Sequence, residues 1–137
     1  VVMSEGYSGT PLLKKLGFAT GEQLLLVAQP DNYFELLKCK PGEFQVTNEP
    51  TQDTRFAHLF VTMRKDMGHW LARLRDSLGS NAIVWVSWPK KASKVPTDIV
   101  EDTIRDVALP LGFVDIKVCA VDATWSALKL VVRKELR

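Results

Sequence analysis

Five consecutive apolar residues, Leu24, Leu25, Leu26, Val27 and Ala28, lie between Gly21-Glu22-Gln23 and Gln29-Pro30. Successive side chains of a strand point to opposite faces. A run without alternation therefore needs cover on both sides, and it predicts an inner strand of a sheet flanked by helices. No apolar run in the chain is longer, and five residues fall far short of the roughly 20 that a membrane span requires. Leu, Val, Ile and Phe make up 42 of the 137 residues, well above the roughly one-fifth below which disorder is expected. The length suits one compact domain over 1–137, with 1–21 as an N-terminal segment carrying a capping helix.

Around this strand the hydrophobic period alternates. A short helix is expected over 10–17, with Thr10 as its cap, Pro11 at its first position, Gly17 as its left-handed stop and Leu12, Leu13 and Leu16 inward. After the strand over 23–28 come a helix over 31–38, the Pro41-Gly42 turn and a strand over 44–47. A polar link of roughly ten residues, 48–57, leads to a third strand at 58–63, too short for an ordinary helical crossover. Met67, Trp70, Leu71, Leu74 and Leu78 form one stripe, predicting a helix over 65–78 that Gly79 ends. A fourth strand at 82–88 stops at Pro89.

Beyond a lysine-rich loop, a helix starts at Thr97 or Asp98, with Ile99, Val100, Ile104, Val107, Ala108 and Leu111 as its apolar face. Gly112 closes it, and Pro110 is expected to bend or fray its last turn. Val114, Ile116, Val118 and Ala120 then alternate with polar residues, predicting a strand buried better on their side. Only the three residues 122–124 separate it from a last strand at 125–133, so these two strands pair as an antiparallel hairpin. The sum is α/β with a mostly parallel sheet.

Several function classes find little support. Eighteen Lys and Arg against sixteen Asp and Glu give a net charge of +2, too mild for a dedicated nucleic-acid binder. The basic residues Lys129, Arg133, Lys134 and Arg137 near the end leave only weak nucleic-acid contact as a third reading. Cys39 and Cys119 have no CxxC partner and no histidine at metal-ligand spacing, as expected of reduced thiols. Val1-Val2-Met3 is too short for a signal peptide, so a cytoplasmic protein is expected. His58 falls at a strand start and His69 on an exposed helix position. With no GxSxG elbow, HExxH or paired carboxylates, neither a catalytic residue nor a metal site is assigned.

The plan of a leading helix, alternating strands and helices and an antiparallel last strand resembles the methyltransferase-like Rossmann fold, with residues 58–88 similar to its later half. The chain also resembles a family of small bacterial proteins of unknown function. That likeness is carried by Gly6-Tyr7-Ser8-Gly9-Thr10-Pro11-Leu12, Trp85-Val86-Ser87-Trp88-Pro89-Lys90-Lys91, Val95-Pro96-Thr97-Asp98, and Asp115-Ile116-Lys117-Val118-Cys119-Ala120-Val121-Asp122 with Thr124-Trp125-Ser126. It implies a compact, truncated Rossmann-like domain and brings no activity with it.

A dinucleotide or adenosyl cofactor needs a glycine-rich turn after the first strand, where backbone must approach ligand. Here that turn reads Val27-Ala28-Gln29-Pro30-Asp31-Asn32, and no glycine occurs between Gly21 and Gly42. Glu49, beyond the second strand, stands where an acid could grip a ribose, or is simply a solvated loop residue. No cofactor is assigned, and the site reads as degenerate.

The positive signal is the loop after the fourth strand. Trp88, Lys90, Lys91, Ser93 and Lys94 lie outside the carboxyl end of a sheet, where ligands of open α/β folds bind. No acid occurs between Asp76 and Asp98. Thr97 at a helix start could add free amides for an anion, against the plainer reading of a solvated lysine loop. Asp122, Trp125 and Ser126 of the hairpin are expected on the same edge, with Tyr7 nearby, although an aspartate at such a turn more often bonds its own backbone. The leading expectation is a non-catalytic module binding an anionic small molecule or an acidic protein surface. The alternative is a divergent nucleotide- or S-adenosylmethionine-dependent transferase. A homodimer is open through an exposed final strand, with Lys129 and Arg133 as the residues that would discourage it. No membrane partner is expected.

Overall fold

A computed structural model describes residues 10–137; Tyr7 lies outside them. The elements are α1 (Leu12–Leu16), β1 (Gln23–Val27), α2 (Tyr33–Leu37), β2 (Gln45–Thr47), β3 (Thr54–Phe60), α3 (Arg64–Ser77), β4 (Ile83–Pro89), α4 (Glu101–Leu111), β5 (Phe113–Ala120) and β6 (Trp125–Val132). One six-stranded sheet runs in the order β2-β1-β3-β4-β6-β5. The first four strands are mutually parallel, and β6 is antiparallel to both β4 and β5.

The apolar run of β1 does what its lack of alternation predicts. Leu25 packs with Met67, Leu71 and Leu74 of α3 and Ile104 and Ala108 of α4. Leu24 and Leu26 pack on the opposite face, with Leu16 of α1 and Tyr33 and Leu37 of α2. The sheet therefore divides the core in two, and Trp85 ties α1 to it by donating its indole N–H to the Leu16 carbonyl at 2.9 Å. No helix among the described residues is long and apolar enough to cross a membrane.

Several expectations are corrected. Thr10 does not cap α1: Pro11 holds that position with no side-chain bond. Strand β3 begins at Thr54, not His58, because Thr54 and Phe56 already pair with β1. The link from β2 is then only the six residues 48–53, which suffices because β2 is three residues long. Helix α3 ends at Leu78 in extended backbone, without a left-handed glycine. Pro110 lies within α4, which continues to Leu111 before Gly112 turns left-handed.

Helix α4 starts at Glu101. Thr97 and Asp98 resemble its caps, but their side chains bond elsewhere. The Thr97 hydroxyl donates to the Thr62 carbonyl at 2.6 Å, and the Asp98 carboxylate accepts the Arg64 amide at 2.6 Å. Asp98 thus closes the start of α3. The last strand is not exposed at an edge, because β6 lies between β4 and β5. The edge is β5, and its expected inner face is open there, with Ile116 52% and Val118 43% exposed. A register shift between Asp115 and Lys117 breaks the pairing beside them. The route to a homodimer through the final strand therefore loses its premise.

Candidate functional site

Lys90, Lys91, Ser93 and Lys94 follow β4 at the carboxyl edge of the parallel strands. Their backbone closes on itself: the Ser93 hydroxyl donates to the Lys90 carbonyl at 2.6 Å and accepts the Val95 amide at 3.2 Å. Lys94 adopts a left-handed φ of 61°, which turns the chain towards Pro96. The Lys90 amide donates to the Thr124 carbonyl at 2.7 Å, so loop and hairpin share one edge, as expected. Among the described residues no carboxylate lies within ion-pair distance of Lys90, Lys91 or Lys94.

The other expected contributors are arranged differently. Asp122 accepts the amides of Thr124 and Trp125 at 2.9 and 2.8 Å, the self-bonded turn that its position favours. Trp88 pairs with Ser126, and Pro89 with Trp125. That one-residue offset puts the two indoles on opposite faces. Trp88 is buried against α3 and α4, whereas Trp125 packs on the other side, edge-on to Phe60 with ring centroids 5.0 Å apart. The edge thus brings Lys90 to Thr124 and Trp125, while Thr97 is held against Thr62, just ahead of α3 rather than at the start of α4.

The turn after β1 bears on a cofactor. Ala28 takes a left-handed φ of 56° and is exposed, so a methyl group stands where glycine would leave the backbone bare. Pro30 has no amide to offer, and its carbonyl accepts the Tyr33 amide at 3.0 Å, using up the first donor of α2. Glu49 is bound by the Arg73 guanidinium of α3, which itself lies 5.0 Å from the Trp70 ring centroid. These residues do not fit an adenosyl cofactor held in the usual way: the close backbone approach, the amide donor and the ribose-gripping acid are each compromised. An open groove of about 580 Å³ runs beside α2. Asp31, Glu35 and Glu43 in its wall offset Lys38 and Lys40, so it lacks the positive field of the lysine loop.

One constellation escaped the sequence reading. His58 is fully buried within β3, with its Nδ1 2.8 Å from the Tyr33 hydroxyl and its Nε2 2.6 Å from the Ser87 hydroxyl. Phe60 stacks on the imidazole at 4.4 Å. Burial lowers the His58 pKa to about 3, so the ring is neutral, with one donor and one acceptor that the two hydroxyls complement. Burial also raises the Tyr33 phenol well above its ordinary value. Serine, histidine and tyrosine in line suggest nucleophilic chemistry, but Ser87 is completely buried and substrate has no access to it. The signal was a lone serine inside the apolar strand Ile83-Val84-Trp85-Val86-Ser87-Trp88, because a buried hydroxyl demands a partner. Among the described residues no cluster of His, Cys, Asp or Glu could hold a metal ion.

No protein-family model and no curated protein matches this chain. Solved structures do. A SAM-dependent methyltransferase from Aquifex aeolicus superposes with a TM-score of 0.69 at 14% identity, covering 89% of this chain and 88% of that one. A protein described as a type 11 methyltransferase from Sulfolobus solfataricus gives 0.65 at 13% identity, covering 90% of each chain. A TehB-like SAM-dependent methyltransferase from Corynebacterium glutamicum gives 0.52 at 10% identity, over 88% and 85%. At such identities the likeness is one of fold, and the chain has the methyltransferase-like Rossmann fold.

Proposed function

We propose that this chain is a non-catalytic binding module on a methyltransferase-like scaffold, which takes an anionic ligand at the lysine loop 90–94. The observation that carries this reading is the set of three ammonium groups at the carboxyl edge with no carboxylate within ion-pair distance among the described residues. Ligands of open α/β sheets bind at that edge. Trp125, Ser126 and Thr124 flank the loop, and Tyr7 completes the proposed set. The blocked turn at Ala28 and Pro30 supports a scaffold that has given up its cofactor. A cytoplasmic location, a single domain over 1–137 and membership of the small bacterial family belong to the same reading.

A divergent S-adenosylmethionine-dependent transferase is the second reading. Ala28 favours it, since its φ of 56° keeps a left-handed turn at the first strand's end although no glycine is there. A thermal-shift panel separates the two. It would hold S-adenosylmethionine, S-adenosylhomocysteine, NAD, ATP, phosphate and phosphorylated metabolites, with wild type and Lys90→Ala/Lys91→Ala side by side. A ligand at about 100 times its Kd stabilises by about 2.7 kcal/mol, a rise of several degrees. A shift with phosphorylated ligands that the double variant loses is the expected result. A shift confined to the adenosylmethionine pair would replace this reading with the second.

A further inference from the structure

Beside the lysine loop runs an apolar seam that the core does not use. The bonds from Thr97 to the Thr62 carbonyl and from the Arg64 amide to Asp98 hold residues 97–98 against 62–64. Ile99 turns inward and is buried, leaving Val100 63%, Met63 47% and Val95 37% exposed. Lys94 directly precedes Val95 and closes the loop that Lys90 and Lys91 open, and Arg64 and Lys65 directly follow Met63 in the first turn of α3. None of the five has an ion-pair partner among the described residues. The neighbouring acids are largely bonded. Asp98 accepts the neutral Arg64 amide and keeps its charge, and Glu101 and Asp102 share Arg105 with Asp115. Of the acids at the start of α3 and α4, only Asp66 has neither kind of partner. The seam thus offers aliphatic side chains beside five basic side chains that have no ion-pair partner among the described residues.

We infer that this seam docks an acidic segment of a partner protein that carries aliphatic side chains. Its carboxylates would meet the basic side chains, and its aliphatic groups would cover Met63, Val95 and Val100. The inference rests on the anion-binding reading above and names its ligand as a peptide. A peptide fits better than a bilayer. Membrane-surface elements present Trp, Phe or Leu to lipid, whereas the exposed large hydrophobic side chains of the seam are Met63, Val95 and Val100.

The test is selection of a random twelve-residue phage-displayed peptide library on the whole protein. Parallel selections use Lys90→Ala/Lys91→Ala and Met63→Ser/Val100→Ser, at positions that are exposed apart from the half-buried Lys90, and both are checked for an unchanged melting temperature. The expected outcome is enrichment of sequences rich in Asp and Glu that also carry aliphatic residues. A synthetic peptide of the consensus should bind each variant at least about tenfold more weakly than wild type. Enrichment of acidic sequences without aliphatic residues, or indifference to Met63→Ser/Val100→Ser, overturns the seam and leaves the anion reading standing. No enrichment alongside a phosphate or ATP thermal shift does the same. No enrichment and no thermal shift overturns both. Co-sedimentation with phosphatidylglycerol vesicles, in the absence of peptide enrichment, overturns the inference in favour of a lipid surface.

Discussion

His58 and Ser87 lie on adjacent parallel strands with imidazole Nε2 and hydroxyl oxygen 2.6 Å apart, both side chains fully buried. Tyr33 closes the other side of the ring, so three elements, α2, β3 and β4, are joined by one neutral histidine.

That histidine should set the acid sensitivity of the fold. Its folded pKa is about 3, against an ordinary 6.5, so between these values the unfolded chain binds a proton that the native chain does not. Stability therefore falls as pH drops below 6.5 and continues to fall towards 3. The full slope is about 1.4 kcal/mol per pH unit, or about 2 kcal/mol lost by pH 5. Melting temperature measured from pH 7 to 4.5 should show this decline in wild type and a flatter profile in His58→Gln. Equal slopes would assign the acid sensitivity to other groups. Asp115 does not confound the window, because its bond to Arg105 holds its carboxyl below the usual range. The stability it contributes is lost only in stronger acid.

Removing the phenol hydroxyl leaves His58 Nδ1 without its partner. Tyr33→Phe is expected to cost about 1–3 kcal/mol, the penalty of an unsatisfied buried polar atom. Urea denaturation should report it as a lower midpoint with an unchanged slope. A loss within a few tenths of a kcal/mol would mean that water or a shifted side chain replaces the hydroxyl.

Asp98 precedes α4 but serves α3. Asp98→Ala should cost about 1 kcal/mol, as loss of a side-chain cap usually does. The distinguishing readout is amide hydrogen exchange: Arg64 should lose protection while the first amides of α4 keep theirs. The reverse pattern would make Asp98 a cap of α4 after all.

Two positions of left-handed backbone carry opposite residues. Ala28 has φ 56°, where a non-glycine residue costs about 1–2 kcal/mol, so Ala28→Gly should raise the melting temperature. Gly112, the stop of α4, has φ 104°, and an added Cβ would come within 2.8 Å of Leu136 Cδ1 and 2.9 Å of Arg75 Nε. Gly112→Ala should destabilise by more than Ala28→Gly stabilises. Calorimetry of the two single variants gives both signs.

How far the sequence speaks depends on where a residue's partners lie. The apolar run of β1 declares its double cover because every residue carries the signal itself. The same holds for α3, where Met67, Leu71 and Leu74 repeat at helical spacing and are all fully buried. The alternation of Val114, Ile116 and Val118 looks equally sound, yet it cannot reveal that β5 ends the sheet with Ile116 and Val118 left exposed among the described residues. Strand order is a long-range property. Thr97 and Asp98 have the right chemistry for caps, but the Thr62 carbonyl and the Arg64 amide that they bond lie more than thirty residues earlier in the chain. For the site, the place of the lysine loop at the carboxyl edge followed from the alternation of strands and helices. The separation of Trp88 and Trp125 did not, because a one-residue register choice between β4 and β6 decides the face.

The bonds from Lys90 to Thr124 and from Ser93 to Lys90 and Val95 bear on the thermodynamics of association. Ordering a loop on binding costs backbone entropy, about 1–2 kcal/mol for each residue fixed. Here the peptide path through 90–93 is already set, so a ligand has only the lysine side chains to immobilise. Association should therefore be rapid and steered by charge, slowing as salt screens the loop, with no slow folding step before the complex forms.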